Sequence, residues 1–212
     1  MDTQITITGV DELTPLEKLP RGVEIGVLYS PTSDRSRYPK GKTLDRIINY
    51  LIDNDHPYCL HVCGQGVREL IKREIEELVV DASRIQVNGR HHRPEEIYML
   101  CDRYQEKQII TQWPQHRRPE GIMQLKQHNH QILVDASGGR GESPDTWESP
   151  GGDKPVGYAG GLTPENVADE LLRLKDANID PASIDTETGV RDDEDWFCVE
   201  KANAFVEAVR GE

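Results

Sequence analysis

The feature that most constrains this chain is an eightfold alternation of short β-like runs with polar, helix-like stretches. The runs are ITITG around Ile5, VEIGVLYS from Val23, YCLHVCG from Tyr58 and RIQVNG from Arg84, then QIITQW from Gln108, HQILVDAS from His130, KPVGYAGG from Lys154 and PASIDTETG from Pro181. Between several of them, KTLDRIINYLI, ELIKREIEELV, EEIYMLCDRYQ and PENVADELLRL place apolar residues three and four apart, the period of an amphipathic helix. Strands that alternate with helices pair in parallel through right-handed crossovers. Eight such units in 212 residues predict a closed (β/α)8 TIM barrel, α/β and all parallel, forming a single domain over residues 1–212. The stretch DELTPLEKLPRG carries two prolines and predicts an irregular first connection.

A formal net charge of −13 argues against nucleic acid as a partner, because backbone phosphates reward Lys and Arg. It argues equally against docking on an anionic membrane surface. No run of about 18 apolar residues occurs, so no membrane-spanning helix is expected. MDTQITITG lacks the basic start and apolar stretch of a secretory signal. Cys59, Cys63, Cys101 and Cys198 do not follow a disulfide framework, and reduced thiols in a cytoplasm are the simpler expectation. The oligomeric state is not legible.

Two connections are long: SPTSDRSRYPKGK after the second strand and ASGGRGESPDTWESPGGDKP after the sixth. Both follow strand ends, which in such barrels is the active face, and their Gly, Pro and Ser content predicts mobility. The strongest local signal is AGGLTPENV, Ala159–Val167. Gly160 and Gly161 let backbone N–H groups approach an anion, and Thr163 with Pro164 opens a helix as N-cap and first helical residue. A helix N-terminus beside a Gly-rich turn is a phosphate site, with a tight ligand-free turn as the equal alternative. A second anion loop is expected at Thr188 and Gly189, with Arg191 as counter-charge and Asp192–Asp195 at a helix start.

Taken in order, these motifs resemble the phosphoribosylanthranilate isomerase family, a tryptophan-pathway group of ribulose-phosphate-binding barrels. ITITGVDE sits at the family's KICG position, and LYSPTSDRSRYP is similar to its FxPxSxRxxxP loop. RIQVNG stands for VQLHG, and ILVDASGGRGESPDTW resembles LLD…GGxGxxFDW. AGGLTPENV matches SGGLxPENV, and IDTETGVR resembles VDVSSGVE. The resemblance implies an Amadori rearrangement of a ribosyl phosphate, with a phosphorylated small molecule as ligand and no cofactor or metal. It implies that Asp135 is the general acid for the ring oxygen. The family's base, a Cys ending strand one, is replaced here by Thr8. A hydroxyl has no accessible anion near neutral pH and does not replace a thiolate.

Other positions transfer less directly. Arg35 or Arg37 matches the arginine that meets the anthranilate carboxylate, a role that suits a planar guanidinium. Asn88 replaces a histidine on strand four. Gly138, Gly139, Arg140 and Gly141 preserve the flexible loop after strand six. Cys63, near the end of strand three, becomes a candidate base if residues 59, 61 and 63 face the barrel interior. The favoured expectation is the reverse, with Tyr58, Leu60 and Val62 facing the lumen. A metal on this Cys-His-Cys stripe is disfavoured, since alternate residues of one strand rarely close a tetrahedral site. Asp11 reads as a helix cap before it reads as a base. Two functional readings therefore stand: an isomerase with a displaced base, or a barrel that kept its phosphate grip with altered or lost chemistry.

Overall fold

A computed structural model describes residues 3–89, 93–114, 121–137 and 141–211. Eight strands, β1 (Gln4–Thr8), β2 (Glu24–Tyr29), β3 (Tyr58–Cys63), β4 (Arg84–Asn88), β5 (Gln108–Pro114), β6 (His130–Asp135), β7 (Val156–Ala159) and β8 (Ser183–Thr186), close into one barrel in sequence order. Every neighbouring pair is parallel, and β1 closes on β8 through Gln4–Ser183 and Ile7–Thr186. The predicted (β/α)8 barrel is therefore present.

Helices follow β2, β3, β4, β7 and β8: α1 (Lys42–Asp53), α2 (Gly66–Lys72) with α3 (Glu76–Val79), α4 (Pro94–Arg103), α5 (Val167–Asp176) and α6 (Val199–Arg210). Helix α1 buries Leu44, Ile47, Ile48 and Leu51, as its three-and-four spacing requires. After β1 the two prolines leave only a 3-10 turn at Leu16–Lys18. Among the described residues the connection after β5 likewise holds only a 3-10 turn, at Ile122–Gln124. Among those same residues, no helix is long and apolar enough to cross a membrane.

The loop after β6 is irregular but pinned. Trp147 is buried, stands edge-on to Tyr158 at 5.6 Å, and donates through Nε1 to Glu170 on α5 at 2.8 Å. Residues 138–140 of that loop lie outside the described residues.

The main correction concerns which strand face points inward. Tyr58, Leu60 and Val62 of β3 join the large apolar cluster that also holds Ile47, Leu51, Leu70 and Phe205 of the helices. Tyr58 Oη reaches outward to the Leu78 carbonyl at 3.0 Å. Cys59 instead packs with Ile110, Leu133 and Ala159, and His61 lines the central cavity. Most apolar strand residues are consumed by the helix layer, so polar alternates fill the lumen around a small apolar group of Cys59, Ile110, Leu133 and Ala159. At the strands' N-terminal ends Arg84 plugs it: Nε donates to both oxygens of Glu24 at 3.0 Å, Nη2 to Thr6 Oγ1 at 2.8 Å and Nη1 to Gln131 Oε1 at 3.3 Å.

Candidate active site

The C-terminal mouth of the barrel holds a cavity lined by His61, Gln86, Asn88, Gln112, Asp135 and Asp185 on the strands, with Gly141, Gly160, Gly161, Thr188 and Gly189 on the loops. Period two explains the strand set, since each contributes its last inward-facing positions.

Asp135 ends β6. Its Oδ1 accepts from the Ser137 N–H at 3.1 Å and the Ser137 hydroxyl at 3.0 Å, while Oδ2 accepts from Gln112 Nε2 at 2.6 Å. Asp185 stands level with it on β8: both residues pair in register with Ala159, the small residue of the intervening strand. Asp185 is the functional candidate that the sequence reading passed over. Burial pushes its carboxyl up to about 7. The charges of Glu187 and Asp135 push the same way, while the Thr8 hydroxyl and Arg84 pull against them.

Thr8 is fully buried and donates its hydroxyl to Asp185 Oδ1 at 2.6 Å. Gly26 on β2 makes room for it, because a Cβ there would overlap Thr8 Oγ1. Cys63 lies beside the cavity and not on its wall. Its Sγ accepts from Asn88 Nδ2 at 3.4 Å, and burial pushes its thiol up to about 11, so it supplies no thiolate near neutral pH. Asn88 also accepts from Gln86 Nε2 at 3.0 Å, and the same amide reaches His61 Nδ1 at 3.1 Å. Burial, reinforced by Arg84, lowers His61 to about 3, so its imidazole is neutral. With Nδ1 accepting from Gln86, Nε2 carries the hydrogen, and this buried atom has no protein partner among the described residues.

The candidate anion loops converge at one end of the cavity. Gly160 and Gly161 adopt φ of 106° and 70°, left-handed values that only glycine takes without strain. A Cβ on Gly161 would overlap the Ser143 amide, and one on Gly189 the Leu162 carbonyl. Asn166 Oδ1 accepts from the Thr163 N–H at 2.8 Å, while the Thr163 carbonyl accepts from Val167 at 3.0 Å, so the chain enters α5 through a closed turn. The named helix begins at Val167, three residues beyond the expected first position.

Three other expectations change. Arg191 does not face the anion loops: Nη2 pairs with the buried Asp11 carboxylate at 2.8 Å and Nη1 donates to the Gly9 carbonyl at 2.6 Å. Asp192–Asp195 forms a turn, in which the Asp192 carboxylate accepts from Glu194 and Trp196, and α6 starts only at Val199. Asp11 caps its own turn, accepting from the Leu13 amide at 3.2 Å and the Thr14 hydroxyl at 3.0 Å. Arg37 is buried against Glu187 and Asp195, whereas Arg35 is exposed and 3.6 Å from Asp195. Gly138, Gly139 and Arg140 fall outside the described residues. Among the described residues no group of three His, Cys, Asp or Glu could hold a metal ion.

Comparison with known proteins bears on the family and the fold. The family model described as N-(5'-phosphoribosyl)anthranilate (PRA) isomerase matches residues 40–200. A curated N-(5'-phosphoribosyl)anthranilate isomerase of Pseudomonas fluorescens (strain Pf0-1) is 42% identical over 74 residues, 34% of this chain and 34% of that protein, so the chain matches about a third of that relative's length. The crystal structure of phosphoribosyl anthranilate isomerase from Thermus thermophilus superposes with a TM-score of 0.73 and 24% identity, over 99% of both chains. A phosphoribosyl anthranilate isomerase solved in complex with reduced 1-(o-carboxyphenylamino)-1-deoxyribulose 5-phosphate gives 0.67 at 16% identity, over 99% of this chain and 100% of that one. At such identities the structural likeness is one of fold, and the family match over most of the chain carries the assignment. This chain belongs to the N-(5'-phosphoribosyl)anthranilate isomerase family.

Proposed function

We propose that the protein isomerises N-(5'-phosphoribosyl)anthranilate to 1-(o-carboxyphenylamino)-1-deoxyribulose 5-phosphate, with residues 1–212 acting as one domain in a cytoplasm. The observation that carries this reading is the meeting of a hydrogen-bonded carboxyl, Asp135, with two Gly-containing turns in one cavity. The turns at Gly160, Gly161, Thr188 and Gly189 suit the 5'-phosphate, which backbone N–H groups and the start of α5 would hold. Asp135 serves as acid for the ribose ring oxygen. Arg37, beside the cavity-lining Glu187, is the better placed arginine for the aryl carboxylate, since Arg35 projects to solvent. A ligand that bridges these groups has its ribose held across the barrel axis.

Loss of phosphoribosylanthranilate fluorescence on mixing with purified protein tests the reading. Turnover above the protein-free rate is expected, and Asp135→Asn is expected to lower kcat by about 10³-fold, the usual weight of a general acid. Gly161→Asp is expected to abolish binding of the phosphorylated product analogue. Thermal stabilisation by that analogue without any turnover would replace this reading with a barrel that only grips phosphate.

A further inference from the structure

We propose that Asp185 is the general base of this site, in the place the family fills from the end of β1. The assignment rests on the isomerase reading and supplies the group that Thr8 cannot. Thr8 Oγ, which stands where the family's base stands, donates to Asp185 Oδ1 at 2.6 Å, so the carboxyl occupies the neighbouring space. Asp185 lies on the cavity wall, level with Asp135 on the far side of Ala159. Two strand spacings, about 10 Å between Cα atoms, separate acid from base and leave room for a ribose between them.

The remaining candidates are unsuited. Cys63 is off the wall and protonated, and Cys59 is fully buried with its thiol pushed up. His61 is held too weakly basic by burial. Glu187 is engaged by the Arg37 guanidinium.

The groups facing Asp185 are Thr8 on β1, Cys59 and His61 on β3, Arg84 on β4, Asp135 on β6 and Glu187 after β8. Cys59 and His61 are neutral near pH 7. Burial raises the Asp185 carboxyl above an ordinary aspartate, and the charges of Glu187 and Asp135 push it the same way. A carboxylate pushed up to about 7 is, when ionised, a much stronger base than an ordinary aspartate.

The protonated Asp135 gives its proton to the ring oxygen. The C1–O bond breaks as the nitrogen lone pair forms C1=N. Asp185 then takes the C2 proton, the C–H pair becomes C1=C2, and the C=N pair returns to nitrogen. In the enaminol that results, Asp185 returns its proton to C1 while the C2 hydroxyl proton passes to Asp135. The ketose forms and both carboxyls regain their starting states.

The test is steady-state turnover of phosphoribosylanthranilate across pH 5–9 by wild type, Asp185→Asn and Thr8→Val, with calorimetric binding of the reduced product analogue. Asp185→Asn is expected to lose at least 10³-fold in kcat while binding the analogue as tightly as wild type, which also shows that it is folded. Wild-type kcat/KM is expected to rise with pH to a plateau above about 7, as Asp185 ionises and becomes able to take the C2 proton. Thr8→Val removes a donor that favours the ionised Asp185, so this limb moves to higher pH with little change in KM. Wild-type turnover that persists within tenfold in Asp185→Asn, or a limb that Thr8→Val leaves in place, overturns the base assignment alone. Absence of wild-type turnover overturns the isomerase reading and this assignment with it.

Discussion

One buried imidazole carries a readable consequence for binding. His61 lines the cavity, accepts from Gln86 at Nδ1, and leaves its buried Nε2 hydrogen without a protein partner among the described residues. If the proposed substrate occupies the cavity, this neutral N–H is free to donate to one of its oxygens, which contributes about 1 kcal/mol. His61→Leu is accordingly expected to raise KM about two- to tenfold, measured by steady-state kinetics; an unchanged KM contradicts the role. At this scale the sequence revealed part of the site. Asp135, Asn88 and the glycines were legible because their motifs are local in the chain. Asp185 was not, because β8 has the weakest strand signal and its neighbour Glu187 lies in the same acidic stretch. Period two along Ser183–Glu187 would have put 183, 185 and 187 on one face, and that face is the lumen.

The strands explain the larger misreading. Filling a barrel interior with branched apolar side chains is the common solution. In β3, β4, β6 and β8 this chain departs from it, spending Leu60, Val62, Val87, Val134 and Ile184 on the helix layer and leaving Arg84, Gln131, Ser183 and Asp185 inside beside Cys59 and Leu133. No single strand reveals the choice, because either face of YCLHVC is sterically acceptable inside. What decides it is the partner of Arg84, namely Glu24, sixty residues earlier in the chain. Breaking that pair from one side strands a buried carboxylate. Arg84→Met is expected to destabilise by about 3–5 kcal/mol, read from urea denaturation. A loss below about 1 kcal/mol would show that the plug is not under this strain. The helices were easier to read, since α1, α4 and α5 carry their own period, and the prolines after β1 announced the irregular turn.

Across the molecule, the buried titratable groups set opposing pH responses. His61 and His130 are both lowered to about 3, mainly by burial. Their stabilisation is complete above the unfolded value near 6.5 and is lost as pH falls toward 3. Asp185 is raised to about 7 and acts in the opposite sense: its contribution is complete below about 4 and is lost as pH rises through 7. Between pH 6.5 and 4 two losses oppose one gain. The net slope from these groups is on the order of 1 kcal/mol per pH unit, toward instability in acid. Asp185→Asn removes the gain, so denaturant titrations should find the variant more stable than wild type at pH 8 and relatively more acid-sensitive. Equal pH profiles would contradict the burial of that carboxyl.

The central claim is that a family barrel with Thr8 at the base position still performs the family's isomerisation, and the fluorescence time course of phosphoribosylanthranilate with purified wild-type protein tests it most directly. Loss of signal well above the protein-free rate is expected, reduced about 10³-fold by Asp135→Asn. A wild-type trace indistinguishable from the protein-free control would contradict it.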